Sequence, residues 1–273
     1  ISKYRTKDYQ GAITDLTKAI DTGSKDNFTH ASRGLSFYAL KEFEKSIPDL
    51  NRAIELGQHD SNIYFSRGAA KYTLKDYKTA LPDLDKAINT GTTDPIAFDM
   101  RGYCRYENKN YNEAIKDFDE AIAKDPKLAQ AFFHRGDAKF SVDNTGGAVQ
   151  DYTQAIALGL SDAILFNNRG KAYFKQENYP LAIADFRSAI DKKPDYAKAY
   201  ENRGMAYFNT KKYEEAAKDF REVEKLSPKP DPDLLRMLGN TYYNLDKFPL
   251  ARDYYDKVIN SGAKDKEVFY KRG

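Results

Sequence analysis

Residues Phe166–Phe174 read FNNRGKAYF, and the Arg-Gly pair at their centre returns along the whole chain. It stands at Arg33-Gly34, Arg67-Gly68, Arg101-Gly102, Arg135-Gly136, Arg169-Gly170, Arg203-Gly204 and Arg272-Gly273. The first six glycines are spaced 34 residues apart, Gly239 comes one residue late, and Gly273 follows 34 after it. A fixed period of this length marks a stack of supersecondary units, because one such unit cannot bury its apolar face alone.

The columns around the glycine define the unit. Twelve residues after it stands a small residue: Ser46, Ala80, Ala114, Ala148, Ala182, Ala216 and Ala251. Sixteen after it comes a large apolar one: Leu50, Leu84, Phe118, Tyr152, Phe186, Phe220 and Tyr255. At nineteen and twenty come Ala53-Ile54, Ala87-Ile88, Ala121-Ile122, Ala155-Ile156 and Ala189-Ile190. Offsets of i, i+4, i+7 and i+8 trace one helical stripe. A second stripe has the glycine at its centre, with an aromatic usually four before it and always four after it. The unit is therefore two antiparallel helices joined by a short turn, with the glycine and the small residue leaving room for a close crossing. Gly23, Gly57, Gly91, Gly159 and Gly262 each precede an aspartate by three residues, as a helix stop followed by an N-cap requires. Pro126, Pro194 and Pro228 are the stops elsewhere. Pro48 and Pro82 fall inside second helices and are expected to kink or delay them. The stretch SVDNTGGAVQ has Thr145 where other units have Tyr or Phe, followed by Gly146-Gly147, and predicts the softest helix start of the array.

These residues resemble the tetratricopeptide repeat over essentially the whole chain. The resemblance implies an all-α fold, a right-handed superhelical α-solenoid of stacked antiparallel two-helix units. A single domain over 1–273 is expected, in about eight units: 1–26 (partial), 27–60, 61–94, 95–128, 129–162, 163–196, 197–231, 232–265 and 266–273 (partial). The tryptophan usual in the first aromatic column is absent. Ile1 and Gly273 both cut a first helix, so an excerpt of a longer protein is expected.

The arginine departs from the family habit of an apolar residue, often Leu, before the glycine. Fifteen residues after each of the first six glycines stands an aspartate: Asp49, Asp83, Asp117, Asp151, Asp185 and Asp219. After Gly239 both change together, to Leu238 and Tyr254. This co-variation between copies within one chain predicts a partly buried, bidentate Arg–Asp pair across the two helices of a unit. A pair with the aspartate of the preceding unit ranks second, since it leaves Asp219 facing Leu238. On this reading Arg135→Leu destabilises and Asp151→Tyr added to it restores much of the loss.

By the resemblance, first helices line a concave groove that binds a peptide or protein segment. Its early part is apolar, with Phe28, Leu35, Tyr38, Phe65, Ala69 and Tyr72. Its middle adds acid: Asp99, Tyr103, Tyr106, Glu107, Phe133, Asp137 and Phe140. Its later part is amide-rich and basic: Asn167, Asn168, Lys171, Phe174, Lys175, Lys198, Asn202 and Phe208. Side-chain amides offer a donor and an acceptor together, as the backbone of an extended peptide needs. The chaperone-tail clamp known in the family needs a Lys and Asn set of which Lys198 and Asn202 supply only fragments.

Composition narrows the function classes. Charged residues make up 31% of the chain but the net charge is only +3, which disfavours nucleic acid as the partner. The single Cys104 excludes an intrachain disulfide framework and a multi-Cys zinc site and is expected to be a buried packing residue. No apolar run approaches ~18 residues, so no membrane insertion is expected. Of the three histidines, His30 falls in the aromatic column and His59 in an inter-unit loop. His134 is read as facing the groove beside Asp137. No nucleophile accompanies it and no phosphate loop or zincin motif occurs, so neither catalysis, a metal nor a cofactor is expected. The reading is a non-enzymatic scaffold mediating protein–protein interaction or complex assembly, with end-to-end self-association a further expectation. The alternative is the repeat arm of a larger enzyme or secretion machine with its chemistry elsewhere.

Overall fold

The computed structural model describes residues 7–227, 229, 231–262 and 266–272. Among them are sixteen helices and no strand. In chain order these are α1 (Tyr9–Asp21), α2 (Asn27–Ala39), α3 (Phe43–Glu55), α4 (Ser61–Thr73), α5 (Tyr77–Asn89), α6 (Pro95–Glu107), α7 (Tyr111–Lys124) and α8 (Ala129–Ser141). They continue as α9 (Thr145–Ala157), α10 (Ala163–Lys175), α11 (Tyr179–Lys192), α12 (Ala197–Asn209), α13 (Tyr213–Leu226), α14 (Pro232–Tyr243), α15 (Phe248–Asn260) and α16 (Lys266–Arg272). Two compact bodies form, Ile1–Val142 with α1–α8 and Asp143–Gly273 with α9–α16.

Within each body the even-numbered first helices and odd-numbered second helices alternate. In the N-terminal body α2 packs antiparallel to α3, α4 to α5 and α6 to α7, and each second helix then packs on the first helix that follows. The first helices also touch in succession, α2 to α4 to α6 to α8. The C-terminal body repeats this with the pairs α10/α11, α12/α13 and α14/α15, and α10 touches α12.

The recurring glycine lies where the two helices of a pair cross. A Cβ added at Gly102 would stand 2.7 Å from Phe118 Cε1 and 3.1 Å from Asp117 Cβ. Only hydrogen fits there, and the large residue sixteen positions on fills the space above it. Phe118, Phe186, Phe220 and Leu50 are fully buried as a result. The small-residue column is equally closed, Ala80, Ala114, Ala182 and Ala216 being inaccessible. Ser46 occupies that column in α3, and its Oγ is buried with no hydrogen-bond partner.

Turns follow two rules. Between units, Gly23, Gly57, Gly91, Gly159 and Gly262 take left-handed backbone, and Asp26, Asp60, Asp94 and Asp162 cap the next helix by accepting from its first backbone N–H groups. Pro228 and Asp265 lie outside the described residues. Within units the left-handed residue is not glycine but Lys41, Lys75, Lys109, Asp143, Glu177, Lys211 or Asp246, at φ between 55° and 70°. Pro48 and Pro82 do not delay their helices: α3 starts at Phe43 and α5 at Tyr77, the same offset from the glycine as α7. Each proline gives up one backbone donor inside a helix whose packed face holds it in place.

The arginine column makes the within-unit pair. Arg33 donates from Nε and Nη2 to Asp49 at 2.6 and 2.8 Å, Arg169 to Asp185 at 2.7 and 2.8 Å, and Arg203 to Asp219 at 2.8 and 2.7 Å. Arg67 pairs with Asp83 and Arg101 with Asp117 in the same way. The carboxylates are buried, so each pair holds two helices together out of water. After Gly239, buried Leu238 and Tyr254 replace the pair, and the Tyr254 ring stacks on Tyr242 with centroids 5.6 Å apart. A third partner is not evident in the sequence. The outer Nη1 reaches back to the second helix of the preceding unit, from Arg67 to Asn51 (2.8 Å), Arg101 to Asp85 (3.0 Å), Arg135 to Asp119 (2.6 Å), and Arg33 and Arg169 to Thr17 and Thr153 (3.2 Å each). One guanidinium therefore joins three helices.

Candidate functional site

The first helices present one face that the arginine pairs do not occupy, and most of the candidate binding residues lie on it. In the N-terminal body the rings of Tyr38, Tyr72 and Tyr106, four after their glycines, are half-buried, each meeting the aromatic first residue of the following second helix tilted or edge-on. Tyr38 meets Phe43 at 5.7 Å between centroids, Tyr72 meets Tyr77 at 5.6 Å, and Tyr106 meets Tyr111 at 5.5 Å. Tyr103 on α6 joins neighbouring units, edge-on to Tyr72 at 5.7 Å, tilted against Tyr106 at 5.9 Å and against His134 at 4.6 Å. Phe133 packs on His134 at 5.9 Å. Phe65 is half-buried against the cluster around Leu84 and Cys104. Asp137 and Phe140 are half-buried on α8. Burial pushes the Tyr72 and Tyr103 phenols well above their ordinary range, with Glu107 adding to the effect at Tyr103. Tyr38 and Tyr106 move the same way for the same first reason. Like any phenol near neutral pH, these hydroxyls are protonated and can donate as well as accept.

Two expected face residues are inside. Ala69 is 1% exposed and Asp99 is 6% exposed. His134 is also buried, and its Nδ1 lies 2.9 Å from Asp99 Oδ1 and its Nε2 2.8 Å from Gln130. Asp99, one unit earlier, thus orients it, in place of the Asp137 that sequence proximity suggests. The third residue before one glycine and the second before the next meet here between adjacent first helices, and this contact turns Asp99 and His134 inward. Cys104 is fully buried, and burial pushes its thiol up to about 12, so it is an inert packing residue.

The C-terminal body places the same inward contact differently. Asn202 Nδ2 donates to Asn167 Oδ1 at 2.8 Å, the counterpart of His134 on Asp99, and Asn167 Nδ2 reaches Asn168 Oδ1 at 3.4 Å. Asn167 is 3% exposed, whereas Asn168, Lys171, Phe174 and Asn202 are half-buried and Lys175 is exposed beside Asp143. Phe174 packs on Tyr179 at 5.4 Å and Phe208 on Tyr213 at 5.3 Å. Sequence reasoning missed the role of Tyr77, Tyr111, Tyr179 and Tyr213, which support the face from the second helices. Their signal was present as an aromatic nine residues after the glycine.

Among the described residues no group of three or more His, Cys, Asp or Glu is placed to hold a metal ion, and no helix is long and apolar enough to cross a membrane.

Comparisons with known proteins agree with this geometry. Models described as tetratricopeptide repeat match residues 135–197, 167–230 and 202–267, and a TPR repeat model matches 102–143, together more than half of the chain. No curated protein matches the sequence. Among solved structures, the C-terminal part of a TPR repeat-containing protein from Cytophaga hutchinsonii is similar at 17% identity and a TM-score of 0.68, with 88% of this chain and 98% of that one covered. YrrB, described as a TPR protein with an unusual peptide-binding site, is similar at 22% identity and a TM-score of 0.58, covering 67% and 95%. PilW, a type IV pilus biogenesis factor, is similar at 17% identity and 0.65, covering 77% and 97%. These likenesses concern the fold. The repeat is generally a non-catalytic scaffold of the kind that mediates protein–protein interaction, and the chain belongs to the tetratricopeptide repeat family.

Proposed function

We propose that this protein is a non-enzymatic scaffold that binds an extended peptide or protein segment along its first-helix groove. The supporting observation is the run of half-buried phenols Tyr72, Tyr103 and Tyr106, held in place by ring contacts. Rigid aromatic rings with one polar tip supply contact area at little entropic cost. In the C-terminal body, Asn168, Lys171, Lys175 and Asn202 offer donors and acceptors for a backbone or for side chains. Asn167 serves this group from behind, by accepting from Asn202. The likeness to a peptide-binding repeat protein supports the same reading.

The test is selection of a random peptide library on the wild type. Selected peptides are then measured on a Tyr72→Ala/Tyr106→Ala/Phe140→Ala variant whose circular dichroism and melting are checked. The single variant Tyr106→Ala replaces it if the triple does not fold. Binding weakened by roughly tenfold or more is expected, since each lost ring is a central contact. Peptides that bind both proteins equally would move the site to the second helices or the inter-unit loops.

A further inference from the structure

The chemistry of the N-terminal first-helix face is one-sided. The positions one, four and five after the glycine read Leu35, Tyr38, Ala39, then Ala69, Tyr72, Thr73, then Tyr103, Tyr106, Glu107, then Asp137, Phe140, Ser141. They include carboxylates and phenols but no lysine or arginine. Two cations on the same helices are engaged elsewhere: Lys71 Nζ lies 2.8 Å from Asp83 and Arg105 Nη1 2.9 Å from Asp117. Glu107 is exposed at the end of α6, and its carboxylate accepts from the Tyr103 hydroxyl. Its charge reaches the hydroxyls of Tyr77, Tyr103 and Tyr106, and that of Asp137 reaches Tyr103 and Tyr106.

We propose that the Tyr72–Tyr103–Tyr106 face, edged by Glu107, takes a lysine or arginine side chain of the bound segment. A neutral phenol presents a negative ring face to a cation, and a carboxylate at the rim adds attraction that an acidic or apolar side chain does not receive. The three rings come from two adjacent first helices, so a cation docked on this face meets rings from both. The inference rests on the reading of this face as a peptide-binding surface, and it names the residue class that anchors there.

The experiment uses the peptides selected from the random library and sorts them by whether Tyr106→Ala weakens them. Those that depend on the face are expected to be enriched in lysine or arginine. Exchanging that residue for norleucine should weaken binding by roughly tenfold, and Glu107→Gln by several-fold, with added salt acting in the same direction. Glu107 is exposed, so Glu107→Gln should melt as the wild type does. Face-dependent peptides without basic enrichment, or binding indifferent to Glu107→Gln and to salt, overturn the cation while leaving the peptide-binding face standing. A library that yields no face-dependent peptide overturns both.

Discussion

Arg203 and Asp219 form the cleanest of the arginine pairs, because Arg203 makes its two bonds to one carboxylate. Burial pushes the Asp219 carboxyl above its ordinary value against the pull of Arg203. Desolvation is thus a large cost that the guanidinium offsets, and an apolar pair can serve as well, as Leu238 and Tyr254 do. Arg203→Leu alone is expected to cost about 3 kcal/mol in urea unfolding, because it leaves a buried carboxylate without its partner. Adding Asp219→Tyr should return at least half of the loss, and strictly additive penalties would contradict the pairing. Ser46 offers the opposite sign. Its buried Oγ has no partner where other units have alanine, so Ser46→Ala should stabilise by about 1 kcal/mol in the same assay. The pair was legible in the sequence because both columns change together after Gly239. The third partner was not, because its column varies among Thr17, Asn51, Asp85, Asp119 and Thr153, which share only an acceptor oxygen.

Helix starts show the same balance between legible and hidden features. Asp26 accepts from the Ser24 hydroxyl and from the Thr29 hydroxyl and backbone, and these bonds hold its carboxyl down at about 2 against an ordinary 3.8. The folded value is the depressed one, so its contribution is present above the unfolded value and is lost as pH falls through the folded one. Asp26→Ala should cost about 1 kcal/mol near neutral pH. In unfolding experiments across pH, the gap from wild type should close between 3.8 and about 2. At the start of α9 an added Cβ at Gly146 meets open space, while one at Gly147 meets the Asn144 side chain at 2.8 Å. Asn144 is the N-cap that bonds the Gly147 N–H. Gly146→Ala should therefore stabilise by roughly 0.5–1 kcal/mol, and Gly147→Ala should not. The Gly-x-x-Asp boundaries could be read directly, since glycine and aspartate announce a stop and a cap. The turns within units could not, because lysine at Lys41, Lys75, Lys109 and Lys211 gives no sign of left-handed backbone. The spacing of the helices on either side imposes it.

Across the molecule the repeat period determines the helix pairing, while residues that vary between copies set the chemistry. The N-terminal body carries phenols and carboxylates on its first helices, and the C-terminal body carries amides and lysines at the corresponding positions. Of the candidate binding residues, those four after the glycine were legible as partly accessible rings. Asn167, like Asp99 in the other body, was not legible as buried, because its placement depends on how closely successive first helices approach. Hydrogen exchange with and without a library-selected peptide tests the central claim most directly. Binding along the first-helix groove of the N-terminal body predicts slower exchange in α4, α6 and α8, with α5 and α7 unchanged. Protection confined to those second helices or to the inter-unit loops would contradict it.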